Sequence, residues 1–143
     1  MADKFQIGEK ADSVFEVLRL LDYNDFVYHR DGDTFVLCFE DKGMKWETDM
    51  ICRDDGVLIY GVYPFSVRDR EKARTLCGTV NGQALYGAMI IVEGDELSPT
   101  GCRLVFRTGA DLFDAYSAYE MIGRSLEYNA GVITRFWEEA QKC

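Results

Sequence analysis

The strongest constraint on the fold is a run of four short segments in which apolar residues recur at every second position. Three turn sequences, DGD, DKG and RDDG, separate these segments, and each turn contains glycine. Alternation with a period of two is typical of β-strands, and short glycine-containing turns join antiparallel neighbours. The sequence therefore predicts an antiparallel meander formed by residues 26–30, 34–40, 44–52 and 57–63.

Helical periodicity lies on either side of this meander. Before it, apolar residues three or four positions apart predict a first helix over about residues 10–22. After it, Ser66 and Asp69 have the spacing of a capping box, which predicts the start of a second helix. The apolar stripe of that helix runs from Ala73 to Ala84. Both helices are amphipathic, so each is expected to pack one side against the sheet.

The rest of the chain adds a strand pair and a long helix. The apolar segments 85–93 and 102–107 predict the two strands, with the loop GDELSPTG between them. One apolar stripe then extends over about residues 112–140 and predicts a single last helix. Residues 1–143 are thus expected to form one α+β domain in the order α-β-β-β-β-α-β-β-α, with the helices packed mainly on one face of an antiparallel sheet.

Charge limits the kinds of partner that such a domain can bind. The 143 residues include 25 acidic and 16 basic side chains, which gives a formal net charge of -9. A surface of this charge repels phosphate groups and anionic lipids. We therefore expect neither nucleic acid nor membrane among the partners, and basic or apolar proteins instead.

Cysteine usage indicates the compartment. The five cysteines are scattered along the chain, and no two of them have the spacing of a CxxC pair. The sequence therefore predicts neither a zinc site nor a disulfide framework. Because the first residues also lack the apolar core of an export signal, we expect free thiols in the reducing cytoplasm. The cysteines are Cys38, Cys52, Cys77, Cys102 and Cys143.

The stretch WETDMICRDDGVL, residues 46–58, concentrates acidic groups and a thiol, as a metal or catalytic site does. The alternative is an ordinary strand and turn. Successive side chains of a strand point to opposite faces, so Glu47 and Asp49 share one face while Cys52 lies on the other. The Asp-Asp-Gly that follows is typical of a turn. The structural interpretation is favoured, and no metal, cofactor or catalytic residue is predicted here.

The single histidine offers a second candidate chemistry. His29 and Cys38 lie on neighbouring predicted strands, where an imidazole and a thiol can form a base–nucleophile pair. No third group that would orient the imidazole is apparent, which favours a structural histidine beside a small thiol. Dinucleotide-loop, Walker, HExxH and GxSxG spacings are absent from the sequence. We therefore expect a non-enzymatic protein without a cofactor.

Several predicted strands are apolar on both faces, whereas a sheet with one solvated face alternates apolar and polar residues. An exposed apolar patch usually marks an interface. The alternative is that the last helix, or a curled sheet, covers both sides. For the interface interpretation, the candidate protein-binding surface consists of Val57, Ile59 and Tyr63, together with Val36 and Cys38.

The segment VLIYGVYPFSVRDREKARTLCGTVNGQALYGAMIIVEGDEL, residues 57–97, resembles the central signature of YbjN-domain proteins, which share the fold of type III secretion chaperones. The similarity lies in an apolar strand reaching Phe65, a charged helix start, and Val80-Asn81 near the helix end. Two features depart from the pattern. Gly82 follows the asparagine, and four strands precede the second helix where secretion chaperones usually have three.

This resemblance implies a small, acidic, cytoplasmic domain that binds protein or regulates, with no catalytic residue. The chaperone branch implies a homodimer that holds an extended partner segment on apolar sheet surface. Two other functions are compatible with the sequence. One is an acidic immunity or inhibitor protein that neutralises a basic partner. The other is a small-molecule sensor with a pocket between sheet and last helix, lined by Phe113, Tyr116 and Tyr119.

Overall fold

The computed structural model describes residues 11–143. Within that range the chain forms four helices and six strands, whose order confirms the predicted α+β alternation. The elements are α1 (Ser13–Tyr23), β1 (Tyr28–Asp31), β2 (Thr34–Asp41), β3 (Met44–Cys52), β4 (Gly56–Val62), α2 (Arg70–Gln83), β5 (Ala88–Glu93), β6 (Cys102–Asp111), α3 (Ala115–Arg135) and α4 (Trp137–Gln141).

The strands form one antiparallel sheet in the order β1-β2-β3-β4-β6-β5. The first four are joined as the predicted meander, and their register places Cys38 opposite Glu47 and Asp49 opposite Tyr60. Helix α2 connects β4 to β5 at the far edge, and β6 returns between them. Consecutive strands therefore pair as antiparallel neighbours everywhere except across this one helical connection.

The helices cover a single face of the sheet, which we call the helix face. The buried side chains of the strands belong almost entirely to this face. Helices α1 and α3 pack over the meander and β6, and α2 packs against β5. The prediction of helices mainly on one face is confirmed. The strand residues buried under them include Phe35, Leu37, Met50, Ile59, Leu104 and Phe106.

Helix α3 approaches the sheet closely at Gly61 in β4. A Cβ atom at this position would lie 2.3 Å from Asn129 Oδ1 and 2.7 Å from Ile133 Cγ1, so only glycine fits. The buried Asn129 side chain donates to the carbonyl oxygens of Ile59, at 3.1 Å, and Phe106, at 2.9 Å. Helix α3 is thus fixed against the backbone of two neighbouring strands by direct hydrogen bonds.

Helix α1 begins directly after its N-cap residue, Asp12. The Asp12 carboxylate accepts the backbone N–H of Phe15 at 3.0 Å, and the helix continues to Tyr23. The predicted start at residue 10 lies outside the described residues. The observed end agrees with the predicted one to within one residue, since Asn24 caps the last turn by donating to the Leu20 carbonyl.

Helix α2 begins later than the capping-box spacing predicts. Its cap is Asp69, whose carboxylate accepts the backbone N–H of Lys72 at 3.2 Å, so the predicted cap at Ser66 is wrong. The chain before the helix is held extended because the N–H groups of Arg68 and Asp69 both donate to the carbonyl oxygen of Cys143, at 2.8 and 2.7 Å. A contact with a distant residue therefore sets this helix boundary.

The last predicted helix is in fact a strand end and two helices. Leu112 donates its N–H to Asp55 O at 3.1 Å, which extends β6 to Asp111. Helix α3 begins only after Asp114, whose carboxylate accepts the N–H of Tyr116 at 3.1 Å. Phe136 then separates α3 from the short α4. The predicted single helix over residues 112–140 is therefore wrong at its start and near its end.

Candidate functional site

Three of the residues predicted to bind a partner lie in the core. Val57 is 1% exposed, and Ile59 and Tyr63 are fully buried beneath the helices. The Tyr63 hydroxyl donates to the backbone oxygen of Ile133 in α3 at 2.9 Å, which ties this strand to the helix layer. The prediction is wrong for these three residues, because alternation shows which side chains share a face but not which face the helices cover.

The other two predicted residues lie on the opposite side of the sheet. Val36 is half-buried and Cys38 is exposed. The register places Val36 opposite Asp49 and Cys38 opposite Glu47. The predicted set is therefore divided between the two faces and does not form one surface.

The side of the sheet opposite the helices is the candidate functional site, and we call it the open face. In the part of the chain that the structure describes, no helix packs on it, and both buried core clusters take their strand residues from the helix face. It nevertheless carries many apolar side chains. One cross-strand row joins Cys38, Glu47, Val62, Val105 and Ile90 in successive strands.

A concavity of about 520 Å³ lies on this face across β3, β4, β6 and the end of β5, and we call it the sheet groove. Its apolar lining is only partly shielded from solvent, since Val105 is 5% exposed while Val92 is 39% exposed. The apolar lining residues are Ile51, Tyr60, Val62, Val92 and Val105.

The sheet groove also carries a set of charges. Its charged lining residues are Glu47, Asp49, Glu93, Asp95 and Arg103. The Arg103 Nε atom lies 2.9 Å from Asp95 Oδ2, and Glu93 forms an ion pair with Arg70. Glu47 and Asp49 form no ion pair with any of the described residues. The two acids on β3 are therefore the unmatched charges of the groove.

The pKa of the Asp49 carboxyl is strongly shifted. Burial, together with the hydrogen bond and the negative charge of the neighbouring Glu47 carboxyl, raises the pKa of Asp49 to about 7. The Oδ1 atom of Asp49 is enclosed and has no hydrogen-bond partner among the described residues. Near neutral pH this side chain therefore exists in both the neutral and the charged form, facing a half-apolar surface.

The stretch WETDMICRDDGVL is a strand and a turn, as the sequence analysis favoured. Glu47 and Asp49 face the groove, whereas Cys52 is buried on the helix face, where burial raises the pKa of its thiol to about 11. The turn that follows is closed by the N–H of Arg53, which donates to Gly56 O at 2.9 Å. Within residues 11–143, no group of three or more His, Cys, Asp and Glu side chains is arranged to hold a metal ion.

No hydrogen bond joins the predicted histidine–cysteine pair among the described residues. His29 lies opposite Val36, so Cys38 is its diagonal neighbour on the open face. Both side chains are exposed, and no hydrogen bond joins them. A nucleophile and its base need such a contact.

The aromatic residues assigned to a sensor pocket lie elsewhere. Phe113 is 56% exposed and Tyr116 is 97% exposed, so neither lines an enclosed space. Tyr119 packs edge-on against Tyr23 on α1, with ring centroids 6.5 Å apart. These three residues therefore do not line a common pocket, and the neighbouring α3 residues Ala118 and Ile122 are fully buried in the core.

Comparison with known proteins identifies a solved structure with a similar fold. No family model matches the chain, and no curated protein matches it. Among solved structures, YbjN from E. coli, described as a candidate transcription regulator, aligns with a TM-score of 0.60 and 16% identity, covering 88% of this chain and 94% of that chain. This chain has a YbjN-like fold. The predicted resemblance is thereby confirmed for the fold, which is all that such an identity shows.

None of the helices within residues 11–143 is both long enough and apolar enough to cross a bilayer.

Proposed function

We propose that this chain is a non-catalytic protein-binding domain whose open face receives a segment of a partner protein. The observation that carries the proposal is the apolar lining of that face, which no described helix covers. Val62 and Val105 lie side by side at its centre, in neighbouring strands. Apolar surface of this kind is stabilised when a partner removes it from water.

The role within the cell that fits this proposal is regulation through protein contacts. YbjN is described as a candidate transcription regulator. The net charge of -9 disfavours direct contact with a nucleic-acid backbone, so regulation by this chain would act on a protein. All five cysteines are free thiols, and we include a cytoplasmic location in the proposal because a reducing compartment keeps them so.

The homodimer implied by the secretion-chaperone resemblance stays a prediction. Two open faces placed against each other would bring Glu47 and Asp49 of one copy towards the same acids of the other. A dimer is therefore expected to use another surface and to leave the open face accessible. Light scattering across a wide concentration range measures the stoichiometry, and amide exchange on β3 and β4 shows whether the open face is covered.

The experiment that tests the binding surface is an NMR titration of the labelled protein. The probe is a short extended peptide in which valine and glutamine alternate. The amide shifts of the labelled protein are expected to change on β3, β4 and β6 and to stay unchanged on α2. The variant V62D, which places a charge at the centre of the groove, is expected to abolish these shifts, whereas Y116D on the outer surface of α3 leaves them in place.

Two results would contradict the proposal. The first is that the peptide leaves the amide shifts of the open face unchanged up to its solubility limit. The second is that V62D binds as well as the unchanged protein. A folded-state spectrum of V62D is the necessary control, and it is expected because Val62 lies outside both buried clusters.

A further inference from the structure

We propose that the occupant of the sheet groove is an extended segment in which a lysine or arginine stands two positions from an apolar residue, with its cationic group at Glu47 and Asp49. This inference rests on the proposed function and specifies the chemistry of the partner. It follows from the charges left unmatched in the groove, from the shape of the groove, and from the unpartnered oxygen of Asp49.

The charges of the groove indicate a cationic partner. Its acids Glu93 and Asp95 already have Arg70 and Arg103 as ion-pair partners. Glu47 and Asp49 have none among the described residues, and both point to the same side because they lie two positions apart on β3. A segment with a positive side chain is complementary to this pair, and an acidic segment is repelled by it.

The spacing of the groove residues favours an extended segment. Along β3 the open face presents Glu47, Asp49 and Ile51 in succession, and β4 presents Val62 and Tyr60 beside the two acids. Alternate side chains of an extended peptide lie on one side at a spacing of about 7 Å, the same spacing as in the strands beneath it. A basic residue and an apolar residue two positions apart can thus face the acidic and apolar parts of the groove together.

The Asp49 carboxyl supplies a second reason for a cationic partner. Its Oδ1 atom is enclosed and unpartnered in the described part of the chain, so its charged form is poorly solvated and a cation in the groove stabilises it. Arginine and lysine carry several N–H donors on an apolar stem. The stem can pack on Val62 and Tyr60 while the donors reach the carboxylates.

A metal ion fits this site less well than a basic side chain. A metal site of carboxylates commonly needs at least three protein ligands, and no such group is present within residues 11–143. The lining beside the two acids is apolar, with Val62 and Tyr60 on the adjoining strand. That surface accommodates the methylene groups of a side chain but supplies no further metal ligand.

The test compares three extended peptides of alternating valine and glutamine in which one valine, two positions from the next valine and therefore on the same side, is replaced by lysine, glutamine or glutamate. Affinity is measured by NMR titration at low salt and at pH 8. The lysine peptide is expected to bind about five- to tenfold more tightly than the glutamine peptide, and the glutamate peptide more weakly than either. Added salt is expected to reduce the difference between lysine and glutamine.

A matched pair of double variants assigns the effect to the groove. E47Q combined with D49N removes both unmatched charges and is expected to make the lysine and glutamine peptides bind equally. The control combines E71Q on α2 with E120Q on α3, two exposed acids on the helix side whose loss changes the net charge by the same amount. The control is expected to preserve the preference for lysine.

The outcomes separate this inference from the proposed function. If lysine and glutamine peptides bind the open face equally well, or if the helix-side control loses the preference as fully as the groove variant, the basic specificity is overturned and the binding surface stands. If no peptide perturbs the open face, the proposed function itself is overturned. A preference for lysine that the groove variant alone removes supports both.

Discussion

The two faces of this sheet are made from the same strands and differ in how complete their packing is. On the helix face, Ile59 and Phe106 are fully buried beneath α3. On the open face, their neighbours Leu58 and Tyr60 are only half-buried. The difference is not one of composition alone, since β4 is apolar on both sides. It arises because helices are present on one side only in the described chain.

Charge is distributed as unequally as burial. The buried strand residues on the helix face include the polar Thr48 and Thr108 but no charged side chain. The open face mixes apolar residues with acids and arginines, so it is compatible with water as well as with a partner. A face that must bind reversibly needs this mixture, whereas a core face does not. The helix face is therefore a core surface, whereas the open face stays accessible to a partner.

The sharpest way to test this comparison is to truncate neighbours on β4. Ile59→Ala is expected to lower the free energy of unfolding by about 3–4 kcal/mol, because it opens a cavity in a fully buried cluster. Leu58→Ala, one residue away on the open face, is expected to lower it by only about 1 kcal/mol. Urea denaturation of both variants measures the difference. Equal losses would show that the open face is packed like a core.

A second pair of variants tests how close the helix layer lies. Gly61→Ala places a Cβ atom 2.3 Å from Asn129 Oδ1, and displacing α3 is expected to reduce stability by about 2–3 kcal/mol. Gly109→Ala lies in the next strand on the open face, where the nearest atom, Val57 O, is 3.4 Å away. That variant is expected to be neutral within about 0.5 kcal/mol. Thermal unfolding measures the stability of both variants. Comparable losses of stability would contradict the arrangement in which helices cover only one face.

The elements of the fold were predictable because local signals specify them. Alternation and short glycine turns identified the meander, and the helical stripes identified α1 and α2. Helix boundaries were less predictable, since they depend on distant contacts. The backbone of Arg68 and Asp69 is held by Cys143, and β6 is extended by the bond from Leu112 to Asp55. No local pattern reports such contacts.

The candidate site was predictable only in part. Parity correctly separated Glu47 and Asp49 from Cys52. Val36 pairs with Asp49, and Cys52 pairs with Val57, so Val36 and Val57 must lie on opposite faces. The prediction combined them because the three-residue link between β3 and β4 leaves the register open by one residue in the sequence. The groove itself depends on β6 and β5, which approach through long-range pairing that the sequence does not specify.

A weaker effect on the open face follows from the pKa of Asp49, which burial and Glu47 raise to about 7. Between the unfolded value of 3.8 and about 7, the native state binds more protons than the unfolded state. The free energy of unfolding is therefore highest below this window and falls as pH rises through it. Since the side chain is half exposed, solvent screening limits the change to about 1 kcal/mol.

The measurement is chemical denaturation between pH 4 and pH 8, repeated for Asp49→Asn. This variant cannot titrate and is expected to lack that part of the pH dependence, so its stability relative to the unchanged protein rises with pH. Thr48→Val, the neighbouring substitution on the helix face, serves as the control because Thr48 does not ionise. A pH slope that Asp49→Asn leaves intact would assign the titration to another group.

The smallest expected effect is a pH dependence of peptide binding at Asp49. Glu47 adjoins it on β3, Tyr60 lies beside it on β4, and Arg107 lies beyond Tyr60 on β6. From β2 only the apolar Val36 faces it. The pKa of Asp49 is raised to about 7, so its charge changes near neutral pH.

The remaining charges of the groove, Glu93, Asp95 and Arg103, are held in ion pairs. Affinity for the lysine peptide is therefore expected to rise about threefold from pH 6 to pH 8 as Asp49 ionises, while affinity for the glutamine peptide stays constant. NMR titrations at both pH values measure the ratio. Because bound lysine favours the ionised carboxyl, the pKa of Asp49 must also fall in the complex. An unchanged Asp49 pKa would place the cation elsewhere, even if the affinity itself depended on pH.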